Sequence, residues 1–166
     1  MNKILRRIEW LVGLVLLQAL ILNNVHIAGY ATPFLYVYFI MKLESGVSRN
    51  ELMLWAAGIG LAVDIFSDTP GMHMAATVLL AFVRPYVLGW FLSHDTVESI
   101  TPSVQTMGPN PFLKYAATGV VIHHTALMLV EFLSVAHPLL LLLRIVSGSL
   151  LTLACIAAIE GILKKK

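Results

Sequence analysis

Residues 29–43, "GYATPFLYVYFIMKL", decide how many times this chain crosses a membrane. The run is apolar enough to lie in oil, yet it is shorter than the roughly 20 residues a helix needs to traverse the hydrocarbon core. If it is a helix, Pro33 falls in the first turn, where a missing N–H costs nothing. If it is not, the number of crossings becomes odd and the two chain ends part company. The rest of the sequence argues for counting it.

The chain has 166 residues, 58% hydrophobic and 12% charged. A soluble domain of this size carries about a quarter charged residues. Half that fraction leaves too little polar surface to face water on every side, so the chain reads as an integral membrane protein. The single cysteine, Cys155, excludes an intrachain disulfide. The opening "MNKILRRIEWLVGLVLLQALIL" pairs basic residues with an apolar run, as a signal peptide does. No small-residue cleavage site follows, which predicts a retained first transmembrane helix.

Apolar runs predict a single membrane domain over 1–166: an all-α bundle with six spans near 5–22, 29–43, 51–66, 72–92, 112–134 and 138–163. The loop 93–111, "SHDTVESITPSVQTMGPNP", is too polar and proline-rich to be a span. Lys3, Arg6 and Arg7 precede the first span, Lys42 and Arg49 flank the loop after the second, Lys114 follows 93–111, and Lys164–Lys166 close the sequence. The turns near 23–28, 67–71 and 135–137 contain no Lys or Arg. The positive-inside rule then puts both termini and the loops 44–50 and 93–111 in the cytoplasm. This bookkeeping needs the short second span. "SDTPG" at 67–71 becomes an outward-facing turn, with proline fixing φ and glycine relieving the corner.

Depth follows from the helical rise of about 1.5 Å per residue. Asp64 lies roughly 6 Å below that turn, Glu131 at a similar depth and Arg144 about 9 Å in, forming one polar layer. Arg84, His123 and His124 form a second near mid-depth. Asp64 and Arg84 differ in depth by roughly 12 Å, so Arg144 is the better partner for Asp64 or Glu131. Ionisable groups at such depths cost at least about 2.5–3.5 kcal/mol each on insertion scales, so they should face partners or a watery cavity. Two readings stay open: charges satisfied between helices, or a ligand or proton site. At Arg84-Pro85, proline frees the carbonyl of Ala81, predicting a bend. Arg84 would meet that carbonyl or snorkel toward the cytoplasm.

No reaction motif stands out. His124 and Glu131 are two helical turns apart, too far for chelation from one helix. His123 and His124 point about 100° apart, so no metal site is expected. His26, His73 and His137 sit near outer turns. Small residues mark helix-packing faces: Ala56, Gly58, Gly60 and Ala62 in the third span, and Ala154, Ala157, Ala158 and Gly161 in the sixth. Glu160 and Lys164 form a favourable i,i+4 pair at the inner boundary. The 93–111 loop, with Asp95 and Glu98, is either a solvated connector or a docking element.

Several stretches together resemble MreD, the membrane subunit of the bacterial rod-shape (elongation) complex. They are "LQALILNNVHIAGYATPFLYVYFIMKL" at 17–43, "GLAVDIFSDTPGMHMAA" at 60–76, "RP" at 84–85, "TPSVQTMG" at 101–108, and "HHTALMLVEFLS" from His123 onward. The resemblance implies a non-enzymatic protein of the bacterial inner membrane, without a cofactor, that binds MreC. Through MreC it would work with MreB, RodA and a class B penicillin-binding transpeptidase in peptidoglycan synthesis and cell-shape maintenance. It also implies a six-helix fold similar to the substrate-binding subunits of energy-coupling-factor transporters. MreD carries no established catalytic residues to transfer. A second reading is a small-molecule or lipid-binding subunit with Asp64, Glu131 and Arg144 lining an outward pocket. A third is an intramembrane hydrolase using His123 or His124 with Glu131.

Overall fold

A computed structural model of the chain describes residues 3–25, 31–92, 99–131 and 138–163. Among these, the secondary structure is entirely helical apart from connecting segments. The helices are α1 (Lys3–Leu20), α2 (Val37–Lys42), α3 (Arg49–Ser67), α4 (Met72–Phe91), α5 (Val104–Met107), α6 (Pro109–Glu131) and α7 (Pro138–Leu163), with a 3-10 turn at Leu22–Asn24. Four of them, α3, α4, α6 and α7, are long and apolar enough to cross a membrane. The chain is therefore a multi-pass helical bundle. Helix α1 has the length but carries Lys3, Arg6, Arg7 and Glu9 in its first turns.

The stretch 29–43 is not the helix its hydropathy suggests. Residues 29 and 30 lie outside the described residues, 31–34 are non-helical, and only Val37–Lys42 form α2. Pro33 therefore precedes the helix instead of opening it. The segment is nonetheless the core of the molecule: Tyr36, Val37, Tyr38 and Ile40 have no exposed surface. Non-helical backbone at such depth survives only where protein supplies its hydrogen bonds. Gln18 of α1 supplies two of them, donating to Pro33 O (2.9 Å) and accepting from Leu35 N (2.9 Å). Thr152 of α7 supplies the third, its hydroxyl accepting from Phe34 N at 2.9 Å. Irregular backbone also covers more distance per residue than a helix, which suits a run this short.

The α3–α4 hairpin forms as the sequence predicts. Ser48 caps α3, accepting from Glu51 N, a capping-box pattern. Asp68 (φ 54°) ends the helix in the left-handed region and Gly71 (φ 78°) opens α4. Both residue types tolerate that conformation. The two helices then approach closely at Gly60: a Cβ there would lie 2.5 Å from the Met74 Cα. Beside this contact the Thr77 hydroxyl donates across the interface to Ala56 O.

The remaining small residues lie nearer the surface. Gly58 would meet nothing within 4 Å, Ala62 is half-buried, and Ala154, Ala157, Ala158 and Gly161 are exposed on α7. On α7 the close approach is at Gly148, whose position faces the His124 ring and Thr32 O. The segment 99–108 is also no free connector. Ile100 O accepts from Ser45 N, Val104 N donates to Glu160, and α6 already begins at Pro109. Asp95, Glu98, His26, His137 and Lys164–Lys166 lie outside the described residues.

Two outcomes follow. Gln18→Leu strands a buried N–H and a buried carbonyl, each costing about 1–3 kcal/mol, and should lower the thermal midpoint in detergent well below that of Thr118→Val, whose side chain bonds only its own helix at a surface site. Gly60→Ala should destabilise by overpacking, typically about 1–3 kcal/mol, whereas Gly58→Ala should hold or raise the midpoint.

Candidate functional site

The polar residues that hydropathy singles out divide between the two ends of the bundle and its middle. Asp64 sits near the end of α3, and both its oxygens turn to the start of α4. Oδ1 accepts from His73 N and the Thr69 hydroxyl, and Oδ2 accepts from Met74 N, each at 2.9 Å. A carboxylate at a helix N-terminus satisfies orphan amides and the positive end of the macrodipole. This answers why an aspartate stands before the turn: it closes the hairpin. Asp64 is therefore not a partner of Arg144, nor does it line the cavity beside it.

That cavity, about 470 Å³, opens at the end of the bundle bearing the 67–71 turn. Its walls include Asn23, Thr32, Phe34, His73, Glu131 and Arg144. Arg144 Nη1 stands 3.5 Å from Glu131 Oε1, and both side chains are partly exposed. The structure thus joins two of the three residues of the expected outer layer and assigns the third to capping. A cation, a carboxylate and neutral amides and hydroxyls around one hollow suit a small polar or zwitterionic ligand.

Behind His73 lies a hydrogen-bonded chain that the sequence does not single out. His73 Nδ1 is 2.7 Å from the Tyr36 hydroxyl, which is 2.9 Å from His123 Nε2. Tyr36 has one proton, so it donates to one ring and accepts from the other. His123 Nδ1 is buried and makes no hydrogen bond to the described residues. His124 has a separate role. Its Nδ1 is 2.9 Å from Val120 O and its Nε2 is 3.3 Å from the Thr152 hydroxyl. The consistent pattern has Nδ1–H donating to Val120 and Nε2 accepting from Thr152, which in turn accepts Phe34 N–H. The Phe34 ring packs against His73 and His124, with centroids 5.4 and 5.2 Å away. The adjacent histidines thus brace the non-helical segment, and neither contacts Glu131 as a hydrolase reading needs. Among the described residues no cluster suits a metal ion.

Arg84 does not join the histidines. Nor does it bond the carbonyl freed by Pro85, or snorkel. It is 2% exposed, donates through Nε to the Tyr115 hydroxyl at 2.9 Å, and through Nη2 to Leu43 O and Met41 O. Tyr115 donates to the same Met41 carbonyl at 3.0 Å. A guanidinium at the C-terminus of α2 meets orphan carbonyls and the negative end of that helix. Helix α4 itself runs on through Pro85.

At the opposite end Glu160 is buried, and its expected i,i+4 partner Lys164 lies outside the described residues. It accepts from the Tyr38 hydroxyl (2.5 Å), Lys42 Nζ (2.7 Å) and Val104 N (2.9 Å). The sequence signal was present: one acid in a 26-residue apolar helix requires a partner from elsewhere.

Asp64→Ala leaves the amides of His73 and Met74 without an acceptor and should cost about 1–3 kcal/mol. Glu131→Gln breaks a partly exposed pair and should cost no more than about 1 kcal/mol. Thermal unfolding of the two variants in one detergent checks the order; an Asp64→Ala protein as stable as wild type contradicts the capping role. In comparisons with known proteins, the chain matches no family model, no curated protein and no solved structure.

Proposed function

We propose that this chain is a non-enzymatic membrane scaffold of the MreD kind, binding MreC and, through it, supporting peptidoglycan synthesis and cell shape. The sequence resemblance supplies the identity of the partner. The observation that best supports a scaffold is where the intramembrane polar side chains are engaged. Asp64 caps α4, Arg84 and Tyr115 cap α2, Gln18 and Thr152 satisfy residues 33–35, and Glu160 ties α2 to α7 and α5. These groups hold a fixed shape instead of converging on a reacting atom. Helix α7 also leaves Ala154, Ala157, Ala158 and Gly161 on an exposed apolar face, of the small-residue kind on which a second transmembrane helix packs closely.

In this reading the chain crosses the bacterial inner membrane six times, both termini cytoplasmic. The second crossing is the non-helical run plus α2. Its support is that Thr32 lines the cavity with Glu131, while Leu43 lines a hollow with Arg7 and Leu163 at the other end. Cysteines placed singly near each terminus, after replacement of Cys155, should both label from the cytoplasmic side.

Extraction in mild detergent should recover MreC with this chain, and Ala154→Leu with Ala158→Leu should reduce that recovery severalfold without lowering the thermal midpoint. MreC that never accompanies the wild-type protein contradicts the scaffold. The outer cavity favours a second reading, a small-molecule or lipid-binding subunit. Native mass spectrometry should then find a bound polar metabolite or lipid that Arg144→Met loses; a ligand-free wild type with a full MreC complex removes it.

A further inference from the structure

The end of the bundle opposite the polar cavity holds a second hollow, about 310 Å³, on whose wall Arg6, Trp10 and Thr101 take no part in the capping network or the scaffold reading. It lies among the start of α1, the end of α2, the 99–103 segment and the end of α7. Arg6, Arg7 and Lys42 bring three cations to its wall, against one carboxylate, Glu44. Two of these cations have counter-ions: Arg7 Nη1 is 2.5 Å from Glu51, and Lys42 is 2.7 Å from Glu160. Glu44 is shared between Lys3 at 3.4 Å and Arg7 at 3.8 Å. Arg6 has no ion pair or hydrogen bond among the described residues, and the same holds for the Trp10 indole N–H and the Thr101 hydroxyl, both on the wall. Three exposed donors around one hollow, one of them a guanidinium without a counter-ion among the described residues, suit an oxyanion.

The remaining wall is apolar: Phe39, Leu43, Leu163 and the Trp10 ring. On the same face of α1 as Arg6 and Trp10, at helical spacing, the apolar surface continues through Gly13, Leu17 and Leu20, the last 68% exposed. A donor cluster at a helix end, with an oily track leading away along the helix, fits a molecule with a phosphate at one end and a hydrocarbon chain at the other. We propose that this hollow seats the headgroup of an anionic phospholipid, Arg6, Trp10 and Thr101 donating to its phosphate oxygens and an acyl chain lying along α1. The site goes beyond the scaffold reading and does not depend on it.

Native mass spectrometry of the full chain in detergent, offered equimolar dioleoyl phosphatidylglycerol and dioleoyl phosphatidylethanolamine, tests it. The phosphatidylglycerol adduct should predominate. A cation near a membrane surface contributes about 1 kcal/mol, so Arg6→Gln should weaken that adduct about fivefold. Arg49→Gln, on the same basic end but outside the hollow, should change it by less than about twofold. Thr101→Val removes a donor without altering charge and should also weaken it. Because Arg6 is exposed and bonded to nothing described, its variant should keep the wild-type thermal midpoint. Equal uptake of the two lipids, or equal losses in Arg6→Gln and Arg49→Gln, would overturn the site in favour of diffuse attraction. Complete displacement of the lipid by millimolar glycerol phosphate would overturn the lipid in favour of a soluble phosphate.

Discussion

A length of peptide backbone without helical hydrogen bonds lies in the middle of an oily bundle, and the surrounding structure is arranged to satisfy it. The groups at Pro33, Phe34 and Leu35 would each cost several kcal/mol if left unpaired in hydrocarbon. Gln18 reaches them from α1 and Thr152 from α7, so the first and last helices are fixed to the same three residues. His124 positions Thr152, and the Phe34 ring fills the space between the histidines. Moving any of these helices would strand a buried donor or acceptor.

The same logic extends to the short helix that follows. A helix of six residues has more orphan groups than internal bonds. Arg84 and Tyr115 meet its last carbonyls from α4 and α6, while Lys42 and Tyr38 connect it to Glu160 of α7. Charged residues inside a membrane are costly alone, but each here completes backbone or charge pairing that the fold leaves open. This is why the polar side chains are dispersed through the interior and do not gather at one centre. The two hollows described lie one at each end of the bundle.

Much of this was legible in the sequence. The composition gave a membrane bundle, "SDTPG" gave the α3–α4 turn, the span 138–163 coincides with α7, and helical rise separated Asp64 from Arg84. Depth alone also placed Arg144 beside Glu131. It failed for Asp64 because depth does not distinguish a charge facing a cavity from one folded back onto the next helix. Hydropathy failed at 29–43 because it measures oiliness, and an irregular buried segment is as oily as a helix. Gln18, Tyr36, Tyr115 and Thr152 were overlooked as neutral residues in apolar runs, although their partners are backbone groups and histidines that no sequence spacing reveals. The small residues of α7 mark a packing face in the sequence, but their spacing does not tell internal packing from a partner's docking site, and only the three-dimensional arrangement shows them facing outward.

The most direct test of the central claim is amide hydrogen exchange at Phe34 and Leu35 with the protein in lipid nanodiscs. Gln18 and Thr152 as acceptors in a dry interior predict exchange as slow as at Ile59 in the middle of α3, becoming fast at Leu35 when Gln18 is replaced by leucine. Exchange at both positions in the wild-type protein as rapid as in an unstructured peptide would contradict the account, because the segment would then lie in water and not at the heart of the bundle.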